Sequence, residues 1–276
     1  MDSQEKEILA KLRKKSDWVR IQTLLIHRNA PETRVASSLS NVETFVTLYH
    51  GGILKFNPKE PYDESRDRFV ISKGHGSISM YPLLADLGFF PLEELQNVCK
   101  EGSFLGGIPD PIVPGYETVN GSLGHGLGVS CGMALGLRAK KSTSQVFVMV
   151  GDGEINEGAN WEAIMLAAHH KLDNLTLIID NNRVSMLDYS KNIIDLDTLQ
   201  SKFEAFKFHV EVVDGHDVGQ LYPTLQKLKA MHIGKPKVLI ANTVKGKGSP
   251  TLEGSSLSHI LALKTEEIDS IIEGIQ

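Results

Sequence analysis

The sequence predicts an α/β fold in which a mostly parallel sheet is flanked by helices on both faces. Residues 146–150 are a short apolar run, and residues 175–179 are a second such run that includes one threonine; both are typical of buried strands. Between them, residues 160–171 have a helical composition. A strand–helix–strand unit of this size closes right-handed and makes its two strands parallel. The alternation of strands and helices continues to about residue 242, which favours one sheet.

The rest of the chain is consistent with a single domain over residues 1–276, because it contains no internal repeat, low-complexity tract or obvious linker. An amphipathic helix comes first, and Gly51-Gly52 ends the helix after it. Glycines and prolines over 102–122 predict an extended loop, and a loop of this length is usually functional. In chain order the predicted helices are 2–30, 40–49, 76–87, 91–100, 124–137, 160–171 and 217–232, and the further strands are 67–72, 208–213 and 237–242.

Composition and charge argue against several classes of protein. The chain has 276 residues, of which 41% are hydrophobic and 23% charged, as in ordinary globular proteins. A formal net charge of −5 without a basic stripe argues against nucleic-acid binding. No apolar run reaches membrane-spanning length, and the charged amino terminus is unlike a signal peptide. Cys99 and Cys131 lack metal-binding spacing, so we expect reduced thiols in a cytoplasmic protein.

The most informative motif joins Gly151-Asp152-Gly153, at the end of one predicted strand, with Asn182, which follows the next strand. Asp152 and Asn182 are 182 − 152 = 30 positions apart. Parallel strands end at the same edge of a sheet, so both residues are expected where open α/β sheets bind ligands. Carboxylate and amide oxygens are hard donors that suit Mg²⁺, and Gly153 lets the backbone approach a diphosphate. Each half alone is a common turn, but the pair favours a cofactor site.

Four segments together resemble the transketolase family of thiamine diphosphate enzymes. They are 69–77, 121–126, 151–154 and 243–248, and they follow one another in the family's order. The resemblance covers nearly the whole chain but only the amino-terminal half of a full transketolase. It implies the diphosphate-binding subunit of a split transketolase, with thiamine diphosphate and Mg²⁺ as cofactors. A second polypeptide would then carry the pyrimidine-binding domain.

The same resemblance implies roles for individual residues. The implied metal ligands are Asp152, Asn182 and the carbonyl of Val184. The implied cofactor-binding residues are His75, Gly121, Ser122, Leu123, Gly153, Glu154, Asn182, Met186 and His259. The implied catalytic residues are His75 and His259, near the diphosphate and the reacting carbons, and Glu157, an acid that links cofactor sites across the dimer.

Three of these residues also have simpler explanations. His75 lies between glycines and can be a turn histidine. His259 follows a serine-rich stretch that is typical of a flexible loop, and its role depends on the family match. Glu157 opens a predicted helix and can serve only to complement the helix dipole.

Two positions depart from the family's pattern. Arg34 and Ile108 stand where relatives carry substrate-contacting histidines. Isoleucine cannot hydrogen-bond a substrate hydroxyl, so Ile108 favours a less hydroxylated transferred group. The guanidinium of Arg34 offers a two-pronged donor suited to a carboxylate or a phosphate.

These patterns leave three hypotheses of function. The first is a transketolase-like transferase that moves a two-carbon ketol from a ketose to an aldehyde. The second is a decarboxylating acyltransferase for a 2-oxo acid, with Arg34 on the carboxylate and Ile108 beside the methyl group. The third is a non-catalytic subunit that binds cofactor.

The resemblance also implies an obligatory partner. In the family, a glutamate of the pyrimidine-binding domain activates the cofactor, and no segment here matches that domain. We therefore expect the chain to be inactive alone and to form an α2β2 heterotetramer with a companion subunit. Its other expected partner is a small sugar or 2-oxo acid, with no nucleic acid and no membrane.

Overall fold

The sheet of the computed structural model is parallel throughout the part of the chain that the structure describes, residues 3–196 and 198–275. Its strands lie in the order β1-β2-β3-β5-β4, and each neighbouring pair is parallel. The strands are β1 (Arg68–Ile71), β2 (Val146–Gly151), β3 (Leu175–Asn181), β4 (His209–Asp214) and β5 (Lys237–Asn242). The predicted α/β fold with a mostly parallel sheet is confirmed.

Helices cover both faces of this sheet, because consecutive side chains of a strand point to opposite sides. On β2, Phe147 and Met149 pack into one buried cluster, whereas Val146, Val148 and Val150 pack into another. The helices are α1 (Ser3–Asn29), α2 (Val35–Leu39), α3 (Val42–His50), α4 (Met80–Asp86), α5 (Gly126–Ala139), α6 (Gly158–His169), α7 (Ser190–Ile193), α8 (Leu199–Ala205), α9 (Val218–Ala230) and α10 (Thr265–Ile275). Side chains of α1, α3, α4 and α9 form the first cluster, and those of α5, α6 and α8 the second.

Several predicted elements differ from the observed ones. The segment predicted as a helix at 91–100 forms a 3-10 helix over Leu92–Asn97, which ends because Val98 is extended. The helix predicted at 76–87 begins only at Met80, since Gly74–Gly76 forms a separate 3-10 turn. The helices α2, α7, α8 and α10 were not predicted. All are 11 residues or shorter, and α10 is stabilised by burying Ile268 against distant side chains such as Leu24.

The amino-terminal helix was predicted at 2–30 and is observed over Ser3–Asn29, while residue 2 lies outside the described residues. The loop predicted at 102–122 is confirmed as irregular. Among the described residues, no helix has both the length and the apolar composition needed to cross a membrane.

The start of α5 approaches the end of β1 so closely that a side chain does not fit between them. A Cβ placed on Gly126 would lie 2.5 Å from the Cβ of Ser72. Gly132 lies further along the same helix, where an added Cβ would meet nothing within 4 Å.

We expect Gly126→Ala to destabilise the chain by about 1–3 kcal/mol, because the methyl group would displace Ser72. Gly132→Ala is the matched control and should stabilise the chain by up to about 1 kcal/mol, since alanine favours the helix. Urea unfolding of the isolated chain measures both changes. Equal destabilisation by the two substitutions would contradict this account.

Candidate functional site

Asp152 lies directly after β2 and is only 3% exposed. Its Oδ2 accepts hydrogen bonds from the backbone N–H of Arg183 (2.7 Å) and from the hydroxyl of Ser190 (3.1 Å), and its Oδ1 accepts one from the backbone N–H of Gly153 (2.9 Å). Burial and the nearby charge of Asp180 raise the pKa of Asp152 to about 6, although its hydrogen bonds oppose this shift. The negative charge of Asp152 is thus largely shielded from water, and a bound cation would stabilise it.

Asn182 and Val184 line the same cavity as Asp152, and each carries an oxygen that the family resemblance assigns to the metal. The Oδ1 of Asn182 accepts the backbone N–H of Val184 at 3.1 Å, and its Nδ2 donates to Asp180 at 2.8 Å. The ammonium of Lys245 donates to the carbonyl oxygens of Val184 and Ser185, both at 3.0 Å. The carbonyl of Val184 therefore already faces a cation, and because a carbonyl oxygen has two lone pairs it can accept a further partner.

The donor set limits which metal can bind. Within residues 3–196 and 198–275, no cluster of three or more histidine, cysteine, aspartate or glutamate side chains could hold a metal. A metal at this edge would combine one carboxylate with amide and carbonyl oxygens and with oxygens of its ligand. Such a set suits Mg²⁺, whereas zinc prefers nitrogen and sulfur.

A buried ion pair between Lys73 and Asp180 lies next to these oxygens, and sequence reasoning missed it. Burial alone would raise the pKa of Asp180, but the charge of Lys73 and several hydrogen bonds lower it overall. The available signal was modest: Lys73 begins the Lys73-Gly74-His75 motif, and Asp180 is an acid directly after the apolar residues Ile178 and Ile179.

Lys245 is a second buried cation that was not assigned a role from the sequence. Burial, and secondarily the charge of Lys73, lower its pKa to about 8. The loop that carries it is anchored from the other side of the fold. The backbone N–H of Val244 donates to His216 Nε2 (2.8 Å), and the other ring nitrogen of His216 lies 2.9 Å from a carboxylate oxygen of Glu43.

Glu43 also forms a buried ion pair with Arg20, which donates to the carbonyl oxygen of Lys247 at 2.8 Å. Because Nε2 of His216 accepts a hydrogen bond from a backbone N–H, its Nδ1 must carry the proton and donate to Glu43. Helices α1 and α3 thereby fix the position of the 244–248 loop.

His75 and His259 lie together, although they are far apart in sequence. Their ring centroids are 4.9 Å apart in an edge-to-face arrangement. Burial, followed by the charges of Lys73, His259 and Lys245, lowers the pKa of His75 to about 2. Burial, with Lys245 and Arg34 next, lowers the pKa of His259 to about 4. Both rings are therefore neutral at physiological pH, and the cations around them make a favourable environment for an anion.

The Gly121–Leu123 segment lies beside Ile108, one of the two departures from the family pattern. A Cβ added to Gly121 would be 3.3 Å from Cδ1 of Ile108, and Ile108 is 45% exposed. Gly74, next to His75, packs against the backbone carbonyl of Asn120. The Gly121–Leu123 segment, which follows Asn120, therefore also lies close to the turn that carries His75. Gly121 and Ser122 are exposed, and Leu123 is half-buried.

Glu154 has a clear structural role. Its buried carboxylate accepts hydrogen bonds from the hydroxyl of Ser72 and from the backbone N–H groups of Gly124 (2.9 Å) and Gly151 (3.1 Å). It thereby joins the ends of β1 and β2 to the start of the α5 region. Its predicted contact with the cofactor stays a prediction.

Glu157, Met186 and Arg34 are all exposed. Glu157 is the N-terminal cap residue of α6 and makes no side-chain capping hydrogen bond. Met186 is 58% exposed. Arg34 precedes α2 close enough for its charge to act on His259. The roles given to these three residues stay predictions.

A cavity of about 700 Å³ opens at this sheet edge. Asp152, Asn182, Val184 and Lys245 line it, and it extends past Tyr189 toward the end of β4. The carboxyl edge of the sheet is therefore an open concave site, as expected for this architecture.

Together, the parallel sheet, the oxygen donors and the buried lysines define an α/β domain suited to binding an anionic ligand through a metal. The chain belongs to the family described as transketolase, thiamine diphosphate binding domain, whose model matches residues 26–274. The resemblance stated from the sequence motifs is thus confirmed.

Similar proteins include single subunits and whole transketolases. The chain is 36% identical over 267 residues to an apulose-4-phosphate transketolase subunit of Actinobacillus succinogenes, covering 96% of each chain. It is 37% identical over 235 residues to the 6-deoxy-6-sulfo-D-fructose transketolase subunit SqwG of a Clostridium species, covering 85% of this chain and 84% of that one. The crystal structure of transketolase from Campylobacter jejuni matches with a TM-score of 0.89 and 30% identity, over 100% of this chain and 43% of that one. The chain thus spans less than half of that transketolase.

Proposed function

We propose that this chain is the diphosphate-binding subunit of a two-subunit transketolase-like transferase, which moves a two-carbon ketol from a ketose donor to an aldehyde acceptor. The observation that carries the proposal is the convergence of metal-type oxygens and a histidine pair at one sheet edge. Lys245 connects them, because it contacts the carbonyl of Val184 and its charge acts on both His75 and His259. The near full-length match to a protein named as one transketolase subunit supports the two-subunit arrangement.

The residues of the site fit thiamine diphosphate and Mg²⁺. Asp152, Asn182 and the carbonyl of Val184 would hold the metal, and Gly153 with Lys245 would adjoin the diphosphate. The backbone carbonyl of Ser37 accepts a hydrogen bond from Lys73. Within the described residues the buried hydroxyl of Ser37 has no hydrogen-bond partner, so it is available to a ligand. In this proposal the chain forms one cofactor-binding domain.

Thiamine diphosphate, when bound, supplies a carbon nucleophile and an electron sink for the carbon–carbon bond cleavage. The chain's contribution is to bind the diphosphate end, orient the substrate and exclude water. His75 and His259 are neutral, so each presents one N–H donor and one acceptor nitrogen to substrate hydroxyls. Glu157 lies at the start of α6 on the surface, where it is available to link cofactor sites across an assembly.

The two departures from the family's pattern would set the choice of donor. Ile108 presents an apolar surface beside Gly121, so it would favour a transferred group with fewer hydroxyls at that point. Arg34 is exposed near His259 and would attract an anionic group of the substrate.

The companion subunit would contribute the pyrimidine-binding domain and the activating glutamate, in an α2β2 assembly. The two cysteines, Cys99 and Cys131, are both free thiols, which supports a cytoplasmic location.

Reconstitution with the companion subunit tests the proposal. We expect the mixture, but neither chain alone, to release an aldehyde phosphate from xylulose 5-phosphate when Mg²⁺, thiamine diphosphate and an acceptor aldehyde are present. Turnover by this chain alone would contradict the two-subunit arrangement. Release of carbon dioxide from pyruvate would favour the acyltransferase instead. Binding of Mg²⁺ and thiamine diphosphate by the complex in calorimetry, with neither reaction, would favour the non-catalytic subunit that binds cofactor.

A further inference from the structure

The carboxylate of Asp180 accepts hydrogen bonds from four side chains of the site, yet Asp180 is not one of the proposed metal ligands. It is 1% exposed. It accepts hydrogen bonds from the hydroxyl of Ser40 (2.7 Å), the carboxamide nitrogen of Asn182 (2.8 Å), the ammonium of Lys73 and the hydroxyl of Thr243. Three of these donors converge on the same oxygen, Oδ2.

The donors come from separate parts of the chain. Lys73 follows β1, Asn182 follows β3, Thr243 follows β5, and Ser40 lies between α2 and α3. A buried carboxylate is stabilised only when partners surround it, so this carboxylate fixes its partners in return. The ends of three strands are therefore held around one side chain.

The bond to Asn182 determines which end of its carboxamide faces outward. An amide nitrogen and oxygen have nearly the same shape, but only the oxygen can coordinate a metal. A carboxylate accepts hydrogen bonds and donates none, so Asp180 binds the nitrogen and would repel the oxygen. The oxygen of Asn182 must then point away from Asp180, toward the backbone N–H of Val184.

The neighbouring asparagine shows the contrast. The side-chain nitrogen of Asn181 donates to the side-chain oxygen of Asn242 at 2.8 Å, on the next strand of the sheet. Its amide is not fixed by a carboxylate. Asp180 thus distinguishes the second asparagine of the Asp180-Asn181-Asn182 segment from the first.

We propose that Asp180 is a positioning residue of the metal site, which holds the carboxamide of Asn182 with its oxygen turned toward the metal. The inference rests on the proposed function, because it assumes that Asn182 binds Mg²⁺ together with thiamine diphosphate. In this inference Asp180 does not bind the metal itself but orients a residue that does. Loss of such a supporting residue typically lowers metal affinity about 10- to 100-fold.

The test measures metal binding without turnover. The complex with the companion subunit is titrated with Mn²⁺ in excess thiamine diphosphate, and free Mn²⁺ is followed by electron paramagnetic resonance. We expect Asp180→Asn to weaken Mn²⁺ binding about 10- to 100-fold, because asparagine no longer discriminates between the two amide ends. Asp214→Asn is the matched control: it makes the same change of carboxylate to amide at the same edge of the sheet, but Asp214 is exposed and does not line the cavity, so the affinity should stay unchanged.

A swap of the two side chains provides the rescue. In Asp180→Asn/Asn182→Asp, the ligand is a carboxylate with two equivalent oxygens, so its orientation no longer matters, and the number of carboxylates at the site is kept. We expect its Mn²⁺ affinity to return to within about 10-fold of the unaltered complex. If Asp180→Asn does not fold, the swap decides alone.

Three results would overturn the inference. They are unchanged Mn²⁺ affinity in Asp180→Asn, an equal loss in Asp214→Asn, and a swap that binds Mn²⁺ more than about 10-fold more weakly than the unaltered complex. The proposed function fails separately, if the unaltered complex does not bind Mn²⁺ with thiamine diphosphate.

Discussion

Asp152→Asn is expected to abolish the magnesium-dependent binding of thiamine diphosphate and the activity of the reconstituted enzyme. Asparagine has the shape of aspartate and keeps an acceptor oxygen, so the hydrogen bonds to this position are partly preserved. It lacks the negative charge, and Asp152 is the only carboxylate in the proposed ligand set. Loss of a residue that supports a metal ligand typically lowers metal affinity about 10- to 100-fold. We expect a larger fall here, because Asp152 is itself a proposed ligand.

The matched control for this substitution is Asp214→Asn. Asp214 ends β4 at the same edge of the sheet, but it is exposed and does not line the cavity. Calorimetric titration of Mg²⁺ in the presence of thiamine diphosphate measures both variants, and circular dichroism checks their fold. A folded Asp152→Asn variant that binds Mg²⁺ as tightly as the Asp214→Asn variant would contradict the assigned site.

The fold could be predicted from the sequence because its central strands β2 and β3 are short, mostly apolar runs. All five strands were located, since runs such as 146–150 have no competing helical period. The short helices α2, α7 and α8 were missed because a helix of seven residues or fewer has little intrinsic stability. Tertiary contacts stabilise them, and no local sequence signal reports such contacts.

The candidate site was predicted where family motifs mark it, and missed where distant contacts create it. The resemblance implied that His75 and His259 both lie near the diphosphate, and their rings lie together in the structure. The grouping of Asp152 with Asn182 follows from their spacing after two parallel strands. By contrast, the contact of Arg20 with the carbonyl of Lys247 joins residues 227 positions apart. Spacing arguments within one helix or one strand cannot reach such pairs, so the supporting network emerged only from the structure.

The second large expected effect concerns the dependence of stability on pH. The folded chain holds the pKa of His75 at about 2, whereas the ordinary value is 6.5. Below pH 6.5 the unfolded chain therefore takes up a proton that the folded chain does not. The stability that the neutral ring contributes is fully present above pH 6.5. It is lost progressively as the pH falls toward the pKa of His75 in the folded chain.

We expect His75→Gln to make the stability of the isolated chain less sensitive to acid. Between pH 6.5 and about pH 5, His75 should account for a loss of roughly 2 kcal/mol in the free energy of unfolding, because each pH unit corresponds to about 1.4 kcal/mol per proton. Glutamine does not titrate, so the variant should lack this loss whatever its absolute stability.

Urea unfolding at a series of pH values compares His75→Gln with His169→Gln, whose histidine is exposed near the end of α6. The control should keep the full acid sensitivity of the unaltered chain, including the contributions of His27 and His50, whose pKa values burial also lowers. Identical slopes for the two variants would show that His75 titrates normally in the folded chain. Its ring would then lie in a solvated environment, and the cationic, desolvated surroundings inferred for the diphosphate end of the site would be wrong.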